Sequence, residues 1–218
     1  MQKPRLLVFA SGSKDGGGSG FANLVLHTKN GILNADIVGV VSHHEDGGVR
    51  AHAEKLGIPF VHFGSPWDRE GYARIARDTG AEFFSLSGWL KLVTGLPPER
   101  TINIHPGPLP QFGGKGMYGH HVHEAVVAAF RRGEITHTAI CMHFVTEEYD
   151  RGPTIFRLKI PILVDDTPAS LAARVNAHEH QWQPIITDLV VNRHIIWHRG
   201  GTQFLTLPPD YTIERLAA

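Results

Sequence analysis

Three polar residues in two separated stretches have the types and settings for acyl-group transfer to an amine. Asn103 and His105 lie in Thr101–Gly119 (TINIHPGPLPQFGGKGMYG), and Asp150 lies in His143–Pro153 (HFVTEEYDRGP). An amide can donate to a developing oxyanion, an imidazole can donate or carry a proton, and a carboxylate can accept one. Taken singly, each has a plain structural use as turn former, cap or core group. Their setting argues for more. Ile102 and Ile104 alternate with Asn103 and His105 like a strand end, and Pro106, Pro108 and Pro110 then stop regular structure. The polar pair is left at a strand's carboxyl edge. In the second stretch, alternating Ile140, Met142 and Phe144 lead into an acidic turn closed by Asp150, Gly152 and Pro153. The chemistry requires a fold that brings the two stretches into one cleft.

The elements that must position them read as repeated βαβ units. Leu6–Ala10 (LLVFA) is a continuous apolar run, as expected of a central parallel strand covered on both faces. The glycine-rich loop Ser11–Gly20 (SGSKDGGGSG) follows, and a helix over Phe21–Lys29 is entered from it. Strand, glycine loop and helix start together suit an anion, because free backbone N–H groups and the positive end of the helix dipole face one spot. Strands are predicted at Asp36–Ser42, Pro59–Phe63, Ala81–Leu86 and about Arg100–Ile104, with helices at Val49–Leu56 and Arg69–Thr79. Further on, a helix over Gly119–Arg132 is followed by strands at Thr136–Val145 and Thr154–Leu163. Pro168–Val191 is a long helix capped by Asp165-Asp166-Thr167, and Arg193–His198 with Gln203–Leu207, joined by Arg199–Thr202, reads as a hairpin. The expected fold is α/β: a mostly parallel twisted sheet with helices on both faces and an antiparallel portion toward the end. Such sheets bind ligands outside the carboxyl ends of their strands.

Spacing excludes two familiar nucleotide sites. No G-x-G-x-x-G runs through Gly16, Gly17, Gly18 and Gly20, and no G-x-x-x-x-G-K-[ST] occurs, since Gly114-Lys115 is followed by Gly116. Of His120, His121 and His123, the pair at i and i+3 shares a helical face but lacks a third ligand at zinc spacing, so no metal is expected.

The 218 residues suit one domain, with about 1–100 as a phosphate-binding half and about 101–218 as a catalytic half. Lysine plus arginine and aspartate plus glutamate both number 21, which offers no field of one sign to hold nucleic acid or an anionic membrane surface. The single cysteine, Cys141, sits in an apolar run and reads as a buried thiol in a reducing compartment. No stretch reaches the ~20 apolar residues that span a bilayer, and a cytoplasmic location is expected.

The pair NIHPGPLP and HFVTEEYDRGP resembles the signature of the folate-dependent formyltransferases, and the likeness runs from Arg5 to about Pro209. That resemblance implies 10-formyltetrahydrofolate as donor and, in the branch most alike, glycinamide ribonucleotide as acceptor, handled by a monomer or homodimer. It assigns catalysis to Asn103, His105 and Asp150, with Asp150 favouring the imidazolium of His105 by proximity. By the same likeness Leu86, Trp89, Leu90, Lys91, Leu92 and His143 would serve the folate side. Gly12, Ser13, Gly18, Ser19, Gly20 and Glu179 would serve the acceptor. The chain departs from the family in a longer glycine loop, with Gly20 where an Asn is usual, and in Asn176 for a Gln ahead of Glu179. Competing readings are a formyltetrahydrofolate hydrolase, an amino-sugar-nucleotide N-formyltransferase, or a non-catalytic module that binds folate or a phosphorylated ligand. The hydrolase family usually carries a regulatory domain before the first strand, for which Arg5 leaves no room.

Overall fold

The computed structural model describes residues 2–200 and 202–217. An eight-stranded sheet runs in the order β10-β7-β6-β5-β4-β1-β2-β3. Its strands are β1 (Arg5–Phe9), β2 (Asp36–Ser42), β3 (Phe60–His62), β4 (Phe83–Leu86), β5 (Thr101–His105), β6 (His137–Phe144), β7 (Thr154–Pro161) and β10 (Glu214–Leu216). β1 to β5 are mutually parallel, whereas β6 is antiparallel to both β5 and β7. β8 (Ile196–His198) and β9 (Phe204–Thr206) form the expected hairpin, and Gly201, inside its predicted connection, lies outside the described residues.

The apolar run of β1 is fully buried because each face meets its own layer. Leu6, Val8 and Ala10 join one core with residues of α1 (Ser19–Lys29), α2 (Gly48–Leu56), α4 (His120–Arg131) and α5 (Pro168–Val191). Leu7 and Phe9 point the other way, to Tyr72 and Ile75 of α3 (Arg69–Thr79) and to Trp89. Burying a side chain of this size contributes about 1.5–3 kcal/mol. The alternation along one strand therefore anchors both helical layers. Cys141 is fully buried, and burial pushes its thiol up.

Local chemistry sets the helix ends. The Asp68 carboxylate accepts from Gly71 N to start α3, and Thr167 and Ser170 form a reciprocal capping box at the start of α5. Inside α5, Pro184 lacks the N–H that would bond the carbonyl of His180. Asn23 of α1 fills that vacancy, its Nδ2 donating to His180 O at 2.7 Å. One proline thus docks the helix that leaves the glycine loop onto the helix that carries Glu179.

The predicted strands and helices all form, with ends shifted by at most three residues. β10 was not foreseen. Glu214-Arg215-Leu216 has no alternation of its own, and it is recruited as a parallel edge by β7, where Arg157 and Lys159 meet Glu214.

Candidate active site

β5 ends the parallel series, and its antiparallel pairing with β6 places Asn103 opposite His143 and His105 opposite Cys141. The ladder between β6 and β7 slips at Met142/His143, which opens room for the acidic turn. Gly152 closes that turn so tightly that a Cβ there would lie 1.7 Å from Phe144 O. Asp150 takes a left-handed backbone (φ 55°), a conformation that Asp tolerates better than most residues. These constraints turn its carboxylate back onto β5 and β6.

The two sequence stretches therefore meet. Asp150 Oδ1 lies 3.4 Å from Asn103 Nδ2 and 3.3 Å from His143 Nε2, and Oδ2 lies 3.8 Å from His105 Nδ1. The amide of Gly114 donates to Oδ2 at 2.9 Å. Its neighbour Gly113 lets the loop approach, because a Cβ there would stand 2.4 Å from Leu109 Cδ2. Burial alone would raise the Asp150 carboxyl, but the bond to His143, the nearby His105 and the Gly114 N–H together hold it below the usual range.

Carbonyl partners set the ring tautomers. His105 Nε2 lies 2.7 Å from Phe112 O and so must donate, leaving Nδ1 bare on the side of Asp150. His143 Nδ1 likewise donates to Phe144 O at 2.8 Å. Its Nε2 faces Asn103 Nδ2 at 3.1 Å and Asp150: neutral, it accepts from the amide, and protonated, it donates to the carboxylate. Asp150 does favour the imidazolium of His105, as its proximity implies, but burial works against it. His105 is buried, and desolvation lowers its pKa more than the attraction of Asp150 restores it. It rests as the neutral imidazole.

These groups face a cleft of about 860 Å³. Of the residues assigned to the acceptor, Gly12, Gly18, Ser19, Gly20 and Glu179 line it, while exposed Ser13 stands outside the lining and bridges back to Gly16. Of those assigned to folate, Trp89 and Leu90 line it. The others lie behind the wall. Leu86 is buried in the α3-side core, Lys91 lies over the Trp67 ring at 4.0 Å, and the carbonyl of Leu92 accepts from Tyr72 OH. His143 touches Asn103 and Asp150 from beneath. Glu179 is only partly exposed in the wall, and desolvation pushes its carboxyl up to about 7.

The segment Gly114–His120 forms one rim. Sequence reasoning missed buried His123 and Gln183 as lining residues; both form part of the interior. His123 is held near a pKa of about 4 by burial first and by His120 and His105 second, and its Nδ1 has no partner among the described residues. A polar residue on an apolar helix face was the available signal at both positions. Among the described residues, no three His, Cys, Asp or Glu side chains cluster at metal-binding range.

A sheet edge that offers an amide donor, a neutral imidazole and an ionised carboxylate to an open cleft is suited to acyl-group transfer. Comparison with known proteins makes the class particular. The formyl transferase family model matches residues 4–187. The chain is 33% identical over 215 residues to the chloroplastic phosphoribosylglycinamide formyltransferase of Arabidopsis thaliana, covering 94% of this chain and 71% of that one. It is 30% identical over 193 residues to the phosphoribosylglycinamide formyltransferase of Bacillus subtilis, covering 84% and 92%. The crystal structure of phosphoribosylglycinamide formyltransferase from Anaplasma phagocytophilum superposes with a TM-score of 0.79 at 25% identity over the whole of both chains. The chain belongs to the formyl transferase family, and it is an enzyme that transfers formyl groups.

Proposed function

We propose that this enzyme moves the formyl group of 10-formyltetrahydrofolate to the primary amine of glycinamide ribonucleotide, a step of purine biosynthesis in the cytoplasm. The observation that carries the reading is the convergence of Asn103, His105 and Asp150 at one cleft wall, in a chain whose relatives bear that acceptor in their names. The amine nitrogen attacks the formyl carbon, and the carbonyl electron pair moves onto oxygen. Asn103 Nδ2 donates to that oxyanion; one such donor is typically worth about 3 kcal/mol. The new ammonium gives a proton to Asp150, directly or through a water, and His105 Nδ1 can hold a proton beside the same oxygen. Collapse breaks the bond to N10 of the folate, which takes up a proton as the formamide leaves.

In this reading Trp89 and Leu90 contact the pterin, the glycine loop holds the acceptor's phosphate, and Glu179 meets the glycyl amine or ribose. Leu86, Lys91 and Leu92 support that wall from behind, and His143 orients Asn103. The test is an acceptor panel. Purified enzyme with 10-formyltetrahydrofolate should form N-formylglycinamide ribonucleotide, detected by mass, and should leave an amino-sugar nucleotide unformylated. Tetrahydrofolate released equally fast without any amine would make the enzyme a hydrolase and end the proposal.

A further inference from the structure

The acceptor side of the cleft contains a buried side-chain donor that the described residues leave without an acceptor. Gln183 of α5 is 1% exposed and lines the cleft, yet its Nε2 has no hydrogen-bond partner among the described residues. Its Oε1 accepts from Ser87 Oγ at 3.2 Å, so both Nε2 protons remain free. A buried donor without an acceptor is unfavourable, and native chains rarely keep one without a use.

The amide head sits at the first turn of α1. A Cβ on Gly20 would lie 3.4 Å from Gln183 Oε1 and 2.3 Å from Ser87 Oγ, so this pair fills the space a side chain at position 20 would need. α1 begins after Gly18 with no side-chain cap and no acidic residue in its first turn. The first N–H groups of the helix and the positive end of its dipole are thus open to the same region of the cleft. Gly17 and Gly18 hold the entering chain at φ 85° and 86°, which keeps bulk away from that opening.

We propose that Gln183, held in place by Ser87, is a specificity-determining residue for the acceptor: its Nε2 donates to a phosphate-monoester oxygen seated on the amino end of α1. The inference deepens the acceptor reading above and rests on it. It accounts for the glycine at position 20, because the donor for the phosphate comes from α5 and a side chain on the loop would displace it.

The test pairs binding with kinetics. Calorimetric titration with ribose 5-phosphate, with ribose as the control for the sugar and inorganic phosphate as the control for the free anion, needs no turnover. In Gln183→Leu, the Kd for ribose 5-phosphate and the KM for glycinamide ribonucleotide should both rise about tenfold or more. The KM for 10-formyltetrahydrofolate should stay within about twofold. Gln183→Glu should weaken phosphate binding further, since a carboxylate would face the anion. Gly20→Ala, which pushes the Ser87 hydroxyl out of place and leaves the sequence of α5 unaltered, should raise the same constants and keeps the proposal refutable if a Gln183 variant fails to fold. Ribose 5-phosphate binding that depends on Gln183, in an enzyme that does not formylate glycinamide ribonucleotide, would uphold this inference and overturn the acceptor assignment alone. An unchanged Kd and acceptor KM in Gln183→Leu, or an equal loss for both substrates, would overturn the inference.

Discussion

The two walls of the cleft are built on opposite plans. On the β5–β6 wall the polar groups hold one another: Asn103, His143 and Asp150 are mutually in contact, Gly114 N–H anchors the carboxylate, and two backbone carbonyls fix the rings of His105 and His143. On the α1–α5 wall part of the hydrogen-bonding capacity waits: α1 has no side-chain cap, and Gln183 Nε2 has no partner among the described residues. The difference teaches where each substrate's demands fall. Reacting groups must be preorganised before the transition state, whereas binding groups gain most when the ligand completes their hydrogen bonds. Variants on the first wall should therefore act on kcat, and variants on the second on KM.

The largest effect belongs to the first wall. Asn103→Ala should lower kcat by about 10²–10³-fold with the KM for glycinamide ribonucleotide little changed, as read from steady-state rates. A rise in KM alone would erase the distinction between the walls. The glycines sharpen the same contrast. Gly152→Ala would put a Cβ 1.7 Å from Phe144 O, and a cost of about 3 kcal/mol or more should lower Tm by about 6–12 °C. Gly16→Ala in the glycine loop meets no atom closer than 4.0 Å and should leave Tm within about 2 °C. Equal shifts would show that the two walls are equally tight.

The smallest effect concerns Glu179 and pH. Its folded pKa of about 7 lies above its unfolded value, so the unfolded chain loses the proton first. Stability then falls as pH rises through that interval and stays lower above it. Glu179→Gln removes the penalty. Its Tm relative to the parent should be higher at pH 8 than at pH 5, and a difference independent of pH would show that the carboxyl is not desolvated.

The same two plans explain what could be read in advance. The continuous apolar run of β1 and the alternation of Ile102 and Ile104 against Asn103 and His105 carry their structural meaning locally, so these two strands and the polar pair at the end of β5 were legible. The charge of His105 was not, because it depends on burial by residues far along the chain. Leu86, Trp89, Leu90 and Leu92 are alike in sequence, and only packing decides which of them reach the cleft. Gln183 lies on a helix face that reads as core. β10 has no pattern to find, since its edge is supplied by β7.

Asp150 joins both distant stretches, and its removal tests the account most directly. Asp150→Asn keeps the shape and removes the proton acceptor. Equilibrium binding of 10-formyltetrahydrofolate, measured beside single-turnover formyl transfer, should show a Kd within about twofold of the parent and a rate lower by about 10²–10⁴-fold. Transfer at the parental rate would contradict the assignment of Asp150 as proton acceptor.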